Sequence, residues 1–190
     1  MKVASDIPEP LRPALLPILD TVASLTQQIR SYDRQIVTLC QEQYPEVELL
    51  QPVAGVGALT SLAYVLTLED PQRFKKSREV GPAVGLVPRR DQSGGHDPQL
   101  RITKTGDTYL RLFGSAQYIL GPFGPDCDLR RWGLKLAERG GKNAKRRAVV
   151  GVARKLAVLL HCLWKTGEIY DPFYLAKKHD QASEAIPAAA

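Results

Sequence analysis

The sequence predicts a mainly α fold: a coiled-coil arm, then a helical domain with a helix-hairpin-helix and a short irregular, β-like segment. Three observations predict it. Apolar residues alternate steps of four and three from Ile18 to Leu39, the spacing of a coiled-coil seam. Gly55 and Gly57 divide two apolar helical stretches. Ala144–Trp164 carries a proline-free helical pattern long enough to close a core.

Along the chain, Pro8, Pro10, Pro13 and Pro17 oppose a regular helix over residues 1–17, and the helix is expected to begin near Pro17. Residues 18–44 are read as the coiled-coil helix. Ile18, Leu25, Tyr32 and Leu39 form one row of the seam; Val22, Ile29 and Ile36 form the other. β-Branched residues in the second row favour a two-stranded pairing, while flanking Thr, Gln and Cys specify the partner weakly. The same seam can instead pack on the chain's own domain.

Residues 45–172 are read as one domain. Within it LLQPVAGVGALTSLAYVLTL reads as a helix-hairpin-helix, with a second helix from Ala58. Gly55 and Gly57 allow the sharp turn, and free N–H groups at the following helix start suit a phosphate. A plain helical hairpin with a glycine turn is the alternative. Glu69-Asp70-Pro71 ends that helix. Arg73, Lys75, Lys76 and Arg78 then surround Phe74, as a phosphate-facing surface or a solvated face. Gly81 and Pro82 are expected to interrupt any helix there. Thr108–Leu120 places Tyr109, Leu112, Phe113, Ala116, Ile119 and Leu120 at helical spacing, as core.

Lys142, Lys145, Arg146 and Arg147 crowd the start of the Ala144–Trp164 helix, where cations oppose the macrodipole. Phosphate binding explains them better than stability does. Leu160, Leu163 and Trp164 read as core, with base stacking as the other reading of Trp164 and Trp132. Residues 173–190 are expected to be a disordered tail.

A chain of 190 residues is long enough for a real core, and its net charge of +6 favours a polyanionic partner. Cys40, Cys127 and Cys162 are few and far apart, without metal-ligand pairing, and read as reduced thiols. No apolar run reaches bilayer length and the N-terminus lacks a signal-peptide core, so a cytoplasmic location and no membrane partner are expected.

The chemistry concentrates in Gly85–Arg111, GLVPRRDQSGGHDPQLRITKTGDTYLR. Ser93 precedes Gly94 and Gly95, whose missing Cβ atoms let another backbone approach. Arg89, Arg90, Arg101, Lys104 and Arg111 surround it. A serine so placed suits attack on a phosphodiester, with the cations stabilising the charge that develops. A glycine-rich surface loop is the plainer reading. Ser77 and Ser115 are rival serines without a comparable motif, and His96 reads as a solvated loop histidine. Nothing in the stretch activates the hydroxyl.

GLVPRRDQSGG, RITKTGDTYLR and VARKLAVLLHCLWKTGEIYDP together resemble the C-terminal domain of bridge-RNA-guided, DEDD-type bacterial insertion-sequence transposases, relatives of Piv-type DNA invertases. The resemblance runs from about Leu49 to Pro172. It implies that Ser93 is the nucleophile joined covalently to DNA, and that a coiled coil preceding the domain assembles subunits. It also implies a further domain whose four acidic residues hold Mg²⁺. That domain is expected on another chain, since Asp6, Glu9, Asp20, Asp33, Glu42, Glu46 and Glu48 lack a β-rich frame to gather them.

The expected partners are double-stranded DNA, a guide RNA, and a homodimer or mixed oligomer with full-length transposase. The chain then reads as a transposase fragment: truncated, separately translated or degenerate. The alternatives are a catalytically silent DNA- or RNA-binding module that poisons full-length transposase, and an unrelated helical nucleic-acid-binding protein.

Overall fold

The computed structural model describes residues 8–90, 100–106 and 109–178. The chain divides into two units, residues 1–43 and 44–190. Among the described residues the regular structure is helical, as the sequence predicts.

The first unit is helix α1, Arg12–Gln43, entered from a 3-10 turn at Glu9–Leu11. The helix starts at Arg12, earlier than the proline count suggests. Pro13 falls in the first turn, where its missing N–H would have had no acceptor. Pro17 lies inside the helix and removes one backbone hydrogen bond. The seam residues Ile18, Val22, Leu25, Ile29 and Tyr32 are each more than half exposed.

The second unit contains α2 (Val47–Leu50), α3 (Ala58–Leu68), α4 (Val80–Ala83), α5 (Phe113–Leu120), α6 (Asp128–Glu138) and α7 (Ala144–Thr166). Helix α7 packs against α2, α4, α5 and α6. Its buried side chains are mostly small: Ala144, Ala148, Val152, Ala153, Ala157, with Leu156, Leu160 and Leu163 filling the gaps. Glycines bring α6 close: a Cβ at Gly133 would lie 2.5 Å from Val152, and one at Gly151 would lie 3.1 Å from Trp132. Helix α3 is tied to α7 by the Tyr64 hydroxyl, which donates to the Ala157 carbonyl at 2.6 Å. Burial raises the Tyr64 pKa well above its ordinary value, so this donor keeps its proton.

Three elements depart from the sequence expectation. Gly81 and Pro82 sit inside α4 rather than interrupting it, because one helical turn asks no N–H of a proline near its start. Helix α5 begins at Phe113, not at Thr108. Leu112 takes a left-handed conformation (φ 51°) and separates α5 from a 3-10 turn at Tyr109–Arg111. Leu112, Ala116 and Ile119 are buried as expected. Finally, residues 173–178 are not a loose tail. Leu175 N–H and Ala176 N–H donate to Asp128 Oδ2 at 2.7 and 3.2 Å, and Asp128 N–H donates to the Pro172 carbonyl at 2.9 Å. Residues 179–190 lie outside the described residues.

The β-like segment is an antiparallel pairing of Pro88 with Ile102. Arg89 N–H donates to the Arg101 carbonyl (2.8 Å), and Thr103 N–H donates to the Val87 carbonyl (2.9 Å). Gly85 is required where the two paired segments converge. Its φ is +70°, and an added Cβ would collide with the Thr105 backbone.

Gly85→Ala is expected to lower unfolding stability by roughly 2 kcal/mol or more, from left-handed strain plus overpacking. Gly114→Ala meets nothing within 4 Å. It is expected to be neutral or stabilising by up to about 1 kcal/mol. Urea titration of both variants checks the contrast.

Candidate nucleic-acid interface

The backbone pairing sets Arg89 opposite Arg101 at the two ends of residues 91–99. Arg89, Arg90, Arg101 and Lys104 are all exposed. Ser93, Gly94, Gly95 and His96 lie outside the described residues. The pairing therefore delivers both ends of the serine segment to one place, with cations at its base.

Arg111, expected to face a phosphate, is buried. Its guanidinium donates to the carbonyls of Lys104 and Gly106, and its Nε has no hydrogen-bond partner. Lys104 takes a φ of +57°, turning its carbonyl toward that guanidinium. Arg111 thus holds the exit of the paired segment, and charge spent this way does not reach the surface.

At the glycine turn, Gly55 has a φ of +74°. An added Cβ there would lie 3.1 Å from the Ser115 carbonyl oxygen and 3.1 Å from the Tyr118 ring. Packing on α5 therefore demands glycine at 55. Gly57 is different: it is extended, caps α3 without a side-chain bond, and has nothing within 4 Å of a Cβ position. The first helical bond runs from Ser61 N–H to the Gly57 carbonyl at 2.9 Å. The start of α3 is thus open on the Gly57 side, while α2 before the turn is a single helical turn.

At the start of α7, Gly140 and Gly141 both have positive φ, 76° and 91°. Arg147 folds back to donate to the Gly140 carbonyl at 3.0 Å. It has a stabilising role that the macrodipole argument did not foresee. Lys142, Lys145 and Arg146 are exposed, and no ion pair among the described residues includes them. Trp132 is covered on one face by the Lys155 ammonium, 3.9 Å from the ring centroid. Burial lowers that ammonium's pKa. Trp164 is half-buried, and Leu160 and Leu163 are buried.

The residues that sequence reading missed lie on one stripe of α7. Arg154 runs beside Gly81: a Cβ there would meet its Nε at 3.2 Å. His161, fully buried, donates through Nε2 to the Pro71 carbonyl at 2.9 Å and accepts at Nδ1 from the Ser77 hydroxyl at 3.0 Å. Lys165 Nζ donates to the carbonyls of Phe74 and Lys75 at 2.8 and 3.4 Å. Positions 154, 161 and 165 share a helix face, so α7 grips the basic segment along its length. The signal was a lone histidine inside the apolar run LLHCLW, four residues before a lysine. Of the rival serines, Ser77 is engaged with His161 and Ser115 is buried. Among the described residues no three His, Cys, Asp or Glu side chains gather as a metal site, and no helix is long and apolar enough to cross a membrane.

Residues 47–113 match the sequence profile of the Transposase IS116/IS110/IS902 family. The chain is 29% identical over 169 residues to a Pseudomonas aeruginosa protein named "Probable family 20 transposase", covering 87% of this chain and 49% of that one. It is 31% identical over 147 residues to the Coxiella burnetii "Transposase for insertion sequence element IS1111A", covering 76% of this chain and 39% of that one. A third similarity, 31% over 87 residues, is to the Yersinia enterocolitica "Transposase for insertion sequence element IS1328", covering 46% of this chain and 26% of that one. The chain thus spans about half or less of the length of these relatives.

Burial holds the His161 pKa below its ordinary 6.5, and the nearby Lys165 charge acts in the same direction. A base with a depressed folded pKa binds its proton more tightly when unfolded. Its contribution to stability is therefore intact above about pH 6.5 and is lost as pH falls from there to the folded pKa. Asp126 and Asp171, held below 3.8 by hydrogen bonds from Arg131 and Lys177, act at lower pH. The melting temperature is expected to fall between about pH 7 and about pH 5. His161→Phe should be less stable at neutral pH, with a flatter profile across that window. A wild-type profile as flat as the variant's would refute the assignment.

Proposed function

We propose that this chain, whose residues 47–113 carry a domain of the IS116/IS110/IS902 transposase family, is the DNA-binding and serine-bearing part of an insertion-sequence transposase. The observation that carries the reading is the backbone pairing of Arg89 with Arg101. It anchors both ends of the segment holding Ser93 and sets cations where a phosphate would arrive. In the proposed step the Ser93 oxygen forms a bond to a DNA phosphorus and a deoxyribose oxygen leaves. The serine proton passes to a base supplied in trans. Arg89, Arg90, Arg101 and Lys104 offset the charge that develops on the phosphoryl oxygens.

Duplex DNA is held through its backbone. The open α3 start at Gly57 offers N–H groups to one phosphate, and Lys142, Lys145 and Arg146 take others. A guide RNA is a second polyanion for the same surfaces. The exposed α1 seam suits a homodimer or a mixed oligomer with full-length transposase. Mg²⁺, which the transposase reading calls for, has no candidate ligand group among the described residues. It is assigned to a metal-binding domain supplied in trans. The second reading is a silent module that binds DNA or RNA and occupies full-length transposase by mixed dimerisation. It is favoured by the absence of any group in the sequence around Ser93 that would activate the hydroxyl.

Neutralising Lys142, Lys145 and Arg146 to Gln is expected to reduce the slope of log affinity against log salt by about two to three. Ser93→Ala should leave binding intact and abolish a covalent protein–DNA species formed with a full-length partner. An adduct that persists in Ser93→Ala overturns the nucleophile. If wild type binds DNA but yields no adduct, the silent module is the correct reading.

A further inference from the structure

We propose that Arg73, Lys75, Lys76 and Arg78 form a further phosphate-backbone contact for a nucleic-acid duplex, distinct from the glycine turn and the basic block opening α7. The proposal rests on the nucleic-acid reading above. It begins from a fixed backbone. Pro71, Phe74 and Lys75 each give a carbonyl to α7, through His161 and Lys165. Ser77 gives its hydroxyl to His161. Gln72 N–H is capped by Asp70 Oδ1 at 2.7 Å, and Lys76 N–H donates to Glu79 Oε2 at 3.4 Å. A stretch whose only regular structure is two 3-10 turns is thus held at both ends and in the middle.

Side-chain direction follows from that backbone. Phe74 turns inward, edge-on to the His161 ring at 5.6 Å between centroids, and Ser77 turns inward to the same ring. The four cations around them are exposed. Of the carboxylates flanking the strip, Asp70 and Glu79 accept backbone N–H groups, and the ion pairs among the described residues, Arg12–Glu9, Arg131–Asp126 and Lys177–Asp171, include none of the four. An ordinary solvated face intersperses signs or pairs them. Four like charges within six residues repel one another, and none of them is in an ion pair among the described residues.

The geometry selects a duplex over a single strand. Single-strand sites combine cations with aromatic faces on which bases stack. The strip's aromatic ring is spent on His161, and Arg73 lies 5.8 Å from its centroid. What remains is charge at fixed positions, which tracks a regular sugar-phosphate backbone without reading sequence.

The test combines Lys75→Gln, Lys76→Gln and Arg78→Gln, leaving Arg73 on the Phe74 ring. Because these side chains are exposed, the melting temperature should stay near wild type. Affinity for a 30-base-pair DNA duplex and for an RNA duplex of equal length is measured from about 50 to about 200 mM salt. The expected result is a slope reduced by about two to three, additive with the Lys142/Lys145/Arg146 substitutions. The duplex that shows the larger reduction identifies which nucleic acid lies on the strip. In parallel, lysine acetylation of the wild-type complex should find Lys75 and Lys76 protected by the duplex. A wild-type slope retained in the triple variant, or lysines acetylated as fast in the complex as in the free protein, overturns the strip while leaving the binding reading intact. Wild type that binds neither duplex overturns both.

Discussion

The hydrogen bond from His161 to the Pro71 carbonyl joins residues 90 apart in sequence. Together with the bonds from Tyr64 to Ala157 and Lys165 to Phe74, it turns α7 into the frame on which the middle of the chain is laid. Each bond is worth only about 1 kcal/mol net, or about 2 when an ammonium donates. Their importance lies in what their loss would leave. A buried imidazole or phenol without a partner costs its full desolvation, so these groups fix one arrangement of the segment over α7.

That frame is transmitted forward along the backbone. Leu86 N–H donates to the Gly81 carbonyl at 2.9 Å, so the turn of α4 lying beside Arg154 is continuous with the paired segment around Pro88. That segment pairs with residues 101–103, and Arg111 fastens the far side through the Lys104 and Gly106 carbonyls. Two non-glycine residues with positive φ, Lys104 and Leu112, bracket that fastening. Each costs of order 1 kcal/mol, a strain that persists only where neighbours over-determine it. The strain therefore lies where the serine segment rejoins the domain.

How much of this was legible in the sequence varied with the range of the interaction. Helix α7 and the start of α3 at Ala58 were readable because hydrophobic period and glycine punctuation are local signals. A short β-like segment over residues 100–103 was readable, but its partner at Pro88 was not, because the pairing spans 14 residues. Arg111 was expected among the phosphate contacts because a cation's usual fate is the surface, and its burial was not foreseen. Its actual acceptors are two backbone carbonyls in a left-handed turn that no residue pattern announces. The helical stretch at 174–178 escaped notice for a similar reason, since its anchor, Asp128, lies 47 residues from Leu175.

A net charge of +6 would suggest diffuse attraction to polyanions. The structure divides the cations into two kinds. Arg111, Arg130, Arg147 and Lys165 spend donors on the chain's own carbonyls; Arg130, for example, reaches the Ile119 and Gly121 oxygens at the end of α5. Such bonds satisfy acceptors that helix ends and turns leave open. Lys75, Lys76, Arg78, Lys142, Lys145 and Arg146 are exposed and outside every ion pair among the described residues. The second kind forms no ion pair among the described residues, and at the start of α7 it acts against the macrodipole. Under the proposed nucleic-acid reading, a phosphate backbone supplies the counter-charge for cations held where they oppose stability.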